Sequence, residues 1–136
     1  MKDQKPHTSR FTFRKEERLC SQKIISGLFE PGFFISRYPF RIHVLYTSLP
    51  TEEVTAQVMF VVGKKRFKKA VDRNRIKRVM REMYRLNKAK IYTALMQAGK
   101  TAALAVIYTG DKMPVYKKTV TIFEKAVEQL CIEIAV

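Results

Sequence analysis

The 136-residue sequence contains no tryptophan and only two cysteines, and it has no long apolar run. Cys20 and Cys131 lie far apart without a C-x-x-C motif, so we expect two buried free thiols in the reducing cytoplasm rather than a zinc or redox site. No window holds the roughly eighteen consecutive apolar residues typical of a membrane span. Residues 1–18 lack the apolar core of a secretory signal. These absences argue against a secreted or membrane-spanning protein.

The sequence also has few side chains that could perform hydrolysis. One of the two histidines, His7, falls in a polar stretch, and the other, His43, falls in a predicted strand, so no histidine pair is positioned for acid–base chemistry. The twelve acidic residues are scattered, with no D-x-D motif, and no glycine-rich phosphate loop is present. We therefore predict no catalytic residue and no metal ligand in this chain.

Positive charge is what the sequence has in excess. Lys and Arg number 27 against 12 acidic residues, which gives a net charge of +15. The segment from Lys64 to Lys90 alone carries +11 of this charge. So local an excess predicts a polyanionic partner, which leaves a nucleic acid, an anionic membrane surface or an acidic protein.

The hydrophobic pattern predicts a single domain over residues 12–136, preceded by a polar arm at residues 1–11. The predicted elements are a helix from Glu16 to Glu30 ended by Pro31-Gly32, strands at 40–47, 58–62 and 102–109, the basic helix after the second strand, and a last helix from Tyr116 to Ile134. Pro39 suggests an edge or a bulge for the first strand. We expect the first two strands to form an antiparallel hairpin, with the second strand central. The fold class is therefore an α/β (α+β) two-layer sandwich with a small mixed sheet.

The basic segment separates into two faces when it is placed on a helix. Apolar side chains fall on one arc: Ile76, Val79, Met80, Met83, Tyr84 and Leu86. Basic side chains recur every four residues on an adjoining arc, about 6 Å apart, at Arg73, Lys77, Arg81 and Arg85, with Lys88 next to them. Glu82, four residues from Arg78, is the one acid expected to pair within this helix. The preceding loop, with Lys64, Lys65, Arg66, Lys68 and Lys69, predicts a second phosphate site at the helix N-terminus.

Three interpretations of this row of basic side chains compete. A row of like charges destabilises an isolated helix, and it is tolerated when the apolar stripe anchors the helix and phosphates face the charges. A solvated face would carry more neutralising acids. A membrane-surface helix would be basic and amphipathic too, but here the apolar side is needed to cover the sheet. The pattern therefore favours nucleic acid, and we expect no membrane partner.

The motif Arg73-Asn74-Arg75-Ile76-Lys77-Arg78, which follows Phe67 and Ala70 and precedes Met80 and Arg81, resembles the signature of the bacterial ribonuclease P protein component. The order of predicted elements is similar too, so the resemblance covers roughly residues 11–134. It implies a cytoplasmic subunit that binds the catalytic RNA and the 5′ leader of precursor tRNA and assists endonucleolytic removal of the leader. The RNA would catalyse the hydrolysis and bind most of the Mg²⁺. The resemblance also implies a left-handed βαβ crossover, as in a ribosomal-protein-like fold, against the usual rule.

The resemblance further implies which residues touch RNA. The predicted contacts to the catalytic RNA are Lys64, Lys65, Lys68, Arg73, Asn74, Arg75, Lys77, Arg78, Arg81 and Arg85. A cleft between the first helix and the sheet would hold the single-stranded leader, with Phe29, Phe40 and Tyr46 as base-tolerant stacking surfaces. Core packing is the alternative for each of these three aromatic side chains.

Three rival functions follow from the same residues. A ribosomal or other structural RNA-binding protein would share the charge and the fold without dependence on a leader. A DNA-binding module would lay the basic helix in a major groove, but a strand and a loop precede this helix where a helix-turn-helix needs a short helix, so we expect no DNA partner. An enzyme acting alone lacks a recognisable catalytic set.

Overall fold

The computed structural model describes residues 13–29 and 33–136. The elements in chain order are a 3-10 turn (Lys15–Glu17), helix α1 (Gln22–Leu28), strands β1 (Phe33–Arg37), β2 (Phe40–Tyr46) and β3 (Ala56–Val62), helix α2 (Ala70–Ala98), strand β4 (Ala102–Tyr108) and helix α3 (Tyr116–Ala135). The predicted arm at 1–11 lies outside the described residues. So do Glu30, Pro31 and Gly32, where the first helix was predicted to end.

The four strands form one mixed sheet in the order β1-β2-β4-β3. β2 pairs antiparallel with β1 and with β4, whereas β3 pairs parallel with β4. The predicted α+β fold with a small mixed sheet is therefore confirmed. β3, α2 and β4 form a βαβ unit, since parallel neighbours need a crossover connection. The left hand of that crossover stays a prediction.

Three expectations about the strands are wrong. β2 and β3 form no hairpin because β4 lies between them, β3 is an edge strand, and β2 is an interior strand. Pro39 lies in the turn between β1 and β2, where it does not interrupt the ladder. The edge strand β1 was not predicted. Neighbouring strands can be far apart in the chain, as Ala56 opposite Ala102 shows, so local periodicity does not reveal the pairing.

The main core lies between the sheet and the two long helices. Alternate strand residues, such as Ile42, Leu104 and Val106, point into it and are at most 1% exposed. The opposite side of the sheet carries the short helix α1, whose Leu28 packs in a second cluster with Ala103 and Ala105 of β4. The predicted two layers therefore have a short third layer on the far side of the sheet.

Helix α1 is shorter than the predicted helix at 16–30. It begins only after Ser21, whose Oγ accepts a hydrogen bond from the backbone N–H of Ile24 at 3.3 Å. Before Ser21 the chain runs beside the edge strand β3, and Leu19 N–H donates to the Val58 carbonyl at 3.0 Å. This pairing holds residues 18–20 extended and removes them from the helix. Cys20 is consequently exposed, contrary to the prediction of a buried thiol.

Helices α2 and α3 follow their predicted patterns closely. α2 extends to Ala98, and Gly99 ends it in the left-handed conformation at φ 67°. Ile76, Met80 and Met83 of its apolar arc are completely buried, whereas Leu86 is 45% exposed and does not belong to that arc. In α3 the buried stripe runs from Phe123 to Ile134. No helix among the residues that the structure describes is long and apolar enough to cross a membrane.

Candidate nucleic-acid interface

The first half of α2 presents a row of cations to solvent. Burial of Ile76 and Met80 against the sheet turns the remaining side chains of these turns outward. The polar side chains on the outer side of these turns are Asn74, Arg75, Arg78 and Arg81, which are exposed, and Lys77, which is half-buried. Within residues 13–29 and 33–136, no carboxylate lies within ion-pair distance of any of these four cations. We call these five residues the ridge. Its charge is available to an external anion.

Three other basic residues of α2 have partners inside the protein, and for the two that were predicted to touch RNA, Arg73 and Arg85, that contact stays a prediction. Arg73 Nη1 donates to the carbonyls of Phe67 and Lys68 at 2.8 and 3.0 Å, so this arginine braces the preceding loop. Arg85 Nη2 lies 2.6 Å from the Glu82 carboxylate, so Glu82 pairs with Arg85 instead of Arg78. The hydrogen bond from Arg85 lowers the pKa of Glu82.

Lys88 is buried and does not belong to the outward-facing cations at all. Its Nζ lies 2.6 Å from Glu17 Oε1, and both side chains are almost completely buried. Tyr92 donates its hydroxyl to the same carboxylate oxygen at 2.6 Å, and the Arg14 backbone N–H donates to Oε2 at 2.7 Å. Burial lowers the pKa of Lys88 and raises the pKa of Tyr92. This cluster fastens the N-terminal segment to α2.

The loop between β3 and α2 adds exposed cations beside the ridge. Phe67 is buried and anchors the loop, while Arg66 donates to the Thr109 carbonyl. The loop lysines Lys64, Lys65, Lys68 and Lys69 remain exposed at the N-terminal end of α2. The predicted loop is confirmed, and a phosphate that contacts these lysines would also approach the first backbone N–H groups of the helix.

A second exposed surface, formed mainly by aromatic rings, lies on the opposite side of the sheet, next to α1. Its ring pairs are Phe29 with His43 and Phe34 with His43, each at 5.2 Å between centroids. Arg41 Cζ lies 4.9 Å from the Phe34 ring centroid. Phe29 and Phe34 are 45% and 47% exposed. We call these four residues the aromatic cleft. Burial and the nearby Arg41 charge lower the pKa of His43, which keeps its ring neutral at pH 7.

The aromatic cleft contains only one of the three aromatics predicted for it. Phe29 lies there, but Phe40 is 1% exposed and packs on Phe123 at 5.3 Å in the core. Because side chains alternate along a strand, Tyr46 shares the strand face of Phe40 and points away from α1. Lys100 Nζ lies 4.6 Å from the Tyr46 ring centroid.

Phe34, Arg41 and His43 were missed as cleft residues. The alternation of β2 could have identified Arg41 and His43, because both occupy the face opposite Phe40. Phe34 needed the unpredicted pairing of β1 with β2, which places it opposite His43.

The potential metal ligands among the described residues form no cluster. Within the described part of the chain, no three His, Cys, Asp or Glu side chains come close enough to share a metal ion. Each of four glutamates, Glu16, Glu17, Glu53 and Glu82, lies within ion-pair distance of a basic side chain.

Comparison with known proteins identifies the family of this chain. The family model described as Ribonuclease P matches residues 13–130. The chain is 36% identical to the ribonuclease P protein component of Porphyromonas gingivalis over 126 residues, which cover 92% of this chain and 88% of the relative.

Two solved structures share the fold. A mutant of the Staphylococcus aureus RNase P protein described as defective in mRNA degradation activity superposes with a TM-score of 0.64 at 18% identity, over 85% of this chain and 89% of that chain. The RNase P protein from Thermotoga maritima gives a TM-score of 0.53 at 24% identity, over 88% and 96%. The resemblance seen in the Arg-Asn-Arg motif is confirmed by these matches. The chain belongs to the bacterial ribonuclease P protein family, the accessory protein subunits of a tRNA-processing ribonucleoprotein endoribonuclease, and its partner is ribonuclease P RNA.

Proposed function

We propose that this protein binds the catalytic RNA through the ridge on α2 and holds the 5′ leader of precursor tRNA in the aromatic cleft. Endonucleolytic removal of the leader by the RNA then leaves the mature tRNA 5′ end. The observation that carries the proposal is the outward-facing set of cations on α2, which have no carboxylate partner in the described part of the chain. The cytoplasm, where the resemblance places the protein, is the expected site of this reaction.

The ridge suits a phosphate backbone for two reasons. The guanidinium groups of Arg75, Arg78 and Arg81 can bind phosphate oxygens through two parallel hydrogen bonds, while Lys77 acts as a point charge. The buried apolar arc of α2 fixes the direction in which these side chains project. Binding therefore orders few groups beyond the arginine side chains themselves.

The aromatic cleft suits single-stranded RNA of varied sequence. Every base has a flat face that can stack on Phe29 or Phe34, so stacking tolerates any leader. The neutral His43 ring extends this surface, and Arg41 supplies a charge for the backbone. A cleft of this kind distinguishes a precursor, which has a leader, from the mature tRNA, which has none.

Mg²⁺, which family membership implies, would supply the activated water and the charge stabilisation for phosphodiester hydrolysis. Because the described residues bring no ligand set together, we propose that the RNA binds most of this Mg²⁺. The protein's share is to hold substrate and RNA close while the ridge offsets phosphate repulsion.

The decisive experiment mixes the full chain with a bacterial ribonuclease P RNA at a Mg²⁺ concentration too low for the RNA alone. We expect the protein to restore 5′ processing of a precursor tRNA. Failure to restore processing, or cleavage by the protein without RNA, would contradict the proposal.

The leader assignment is tested by Phe34→Leu with Tyr46→Leu as the matched control. Both residues are aromatic and exposed to similar extents, but they lie on opposite faces of the sheet. We expect Phe34→Leu to weaken the binding of precursor tRNA to the complex and to leave mature tRNA binding unchanged, whereas Tyr46→Leu changes neither. Equal losses for both tRNAs would favour a general RNA-binding role instead.

A further inference from the structure

A small pocket lies where the N-terminal segment, the edge strand β3 and helix α2 meet. Its volume is about 290 Å³, near the lower end of the range of roughly 300–1,000 Å³ found for small-ligand sites. We call it the Phe13 pocket. The residues that matter for its chemistry are Phe13, Arg18, Met59, Phe60, Lys77 and Arg81. It is separate from the aromatic cleft, whose four residues do not line it.

Two aromatic rings form one side of the pocket. The centroids of Phe13 and Phe60 are 5.9 Å apart with the rings inclined by 59°. Tyr84 lies behind both rings, with its ring 90° from Phe13 and 75° from Phe60, and it is completely buried. The two phenylalanine rings are thus held by the core while part of their surface remains open to the pocket.

Three cations form the other side. Lys77 and Arg81 are four residues apart on α2, so both project over the pocket from the ridge. Arg18 comes from the N-terminal segment, and its Cζ lies 5.9 Å from the Phe13 ring centroid. Of the residues that the structure describes, no Asp or Glu lines the pocket. A ligand that suits these walls has a flat apolar part and a negative charge, which is the chemistry of a nucleotide.

The pocket is formed before any ligand arrives because its N-terminal wall is fixed from inside. The buried Glu17 carboxylate, adjacent to Arg18, is held by Lys88 and Tyr92 at 2.6 Å each. Gln57 Nε2 also donates to the Glu16 carbonyl at 2.9 Å. A wall that is already ordered costs little entropy on binding.

We propose that the Phe13 pocket binds one unpaired nucleotide of the RNA that contacts the ridge. Its base lies against Phe13 and Phe60, and its phosphate lies between Arg18, Lys77 and Arg81. This inference rests on the proposed function, since it takes the ridge as the RNA-binding surface. The RNA source is the ribonuclease P RNA rather than the leader, because two of the three cations belong to the ridge.

The test measures the affinity of the full chain for a bacterial ribonuclease P RNA as a function of salt. Phe13→Leu and Phe60→Leu keep the apolar volume but remove the ring, so we expect each to weaken binding at least about fivefold, the low end for a base–aromatic stack. The slope of log affinity against log salt stays unchanged in both, because neither substitution removes a cation that binds phosphate. Lys77→Gln lowers that slope, and Tyr46→Leu changes neither quantity.

Ultraviolet crosslinking of the unsubstituted complex gives a readout that does not depend on how a variant folds. We expect peptides that carry a nucleotide on Phe13 or Phe60. Crosslinks found elsewhere but not in this pocket, or affinities of both leucine variants within twofold of the unsubstituted protein, would overturn the inference. If Arg78→Ala still weakens RNA binding in that case, only the pocket is wrong. If Arg78→Ala has no effect either, the proposed function fails with it.

Discussion

The two halves of helix α2 use the same residue types in opposite ways. Lys77 lies in the first half, on the outward ridge, with no carboxylate in ion-pair distance in the described structure. Lys88 lies in the second half, eleven residues and about 16 Å further along the axis. Its side chain is 2% exposed and forms an ion pair with Glu17. The difference arises from what packs on each half. A lysine in a basic helix is therefore a binding residue or a structural residue according to its tertiary neighbours.

The largest expected effect belongs to Lys88 in the second half of the helix. Lys88→Ala leaves the Glu17 carboxylate buried without its cation, and removal of one partner of a buried pair costs about 3–5 kcal/mol. Urea denaturation should show this loss in the free energy of unfolding. The double variant Glu17→Gln with Lys88→Met is the control, and we expect it to recover part of the loss. A loss below about 1 kcal/mol for Lys88→Ala would show that the two halves do not differ as described.

A smaller effect is expected at the start of the helix, where Arg73 and Arg75 form a matched pair. Arg73→Ala removes the charged hydrogen bonds to the Phe67 and Lys68 carbonyls, so we expect about 1–2 kcal/mol lower stability. Arg75→Ala removes an exposed side chain and should change the free energy of unfolding by less than about 0.5 kcal/mol. Equal stabilities of the two variants would remove the distinction between a bracing arginine and a binding arginine.

Substitutions of the exposed cations in the first half of α2 should change the salt dependence of RNA binding and not the stability of the protein. Arg78→Ala should reduce the slope of log affinity against log salt by about 0.7–0.9 for each phosphate that this side chain neutralises, with an unchanged unfolding free energy. The partner variant Lys88→Met should leave the slope unchanged, provided that the measurement is made where that variant is folded. An unchanged slope for Arg78→Ala would contradict the ridge.

The smallest expected effect concerns Glu82, which lies between the exposed cations of the first half and Lys88 in the second half. Glu82→Gln breaks the pair with Arg85, which lies at the surface, where solvent screens ion pairs and leaves them a small effect on stability. It also removes a negative charge one turn from the ridge. We expect the affinity for ribonuclease P RNA to rise slightly, by less than about fivefold, with little change in stability. Weaker RNA binding by Glu82→Gln would contradict this prediction, because it would mean that the carboxylate favours RNA binding.

Local periodicity predicted the elements whose burial repeats along the chain. β2, β4 and α3 lie within one or two residues of their predicted ranges, and Ile76, Met80, Met83 and Tyr84 of the apolar arc of α2 are buried as expected. The first helix was predicted too long because the spacing of Cys20, Ile24 and Leu28 was extended back to the acidic pair at 16 and 17, whereas Glu17 and Leu19 lie outside the helix. In the structure they are buried instead by Lys88 and by the edge of β3, contacts with residues 71 and 39 positions away.

The exposed cations of the candidate site were predicted from the charge pattern, whereas its aromatic residues were mostly missed because their positions depend on strand pairing. The Arg-Asn-Arg motif located the ridge, because cations opposite a buried stripe must face outward. Phe40 and Tyr46 were assigned to the wrong surface, and Phe34 was missed, because strand partners decide which rings meet.

The sequence by itself determined the concentration of positive charge in residues 64–90, the amphipathic period of α2 and the family, since these are properties of composition and spacing along the chain. The tertiary structure alone decided which of those cations face outward and which aromatics share a surface. The reason is that burial and ion pairing depend on residues distant in sequence, as Glu17 does for Lys88 and β1 does for Phe34.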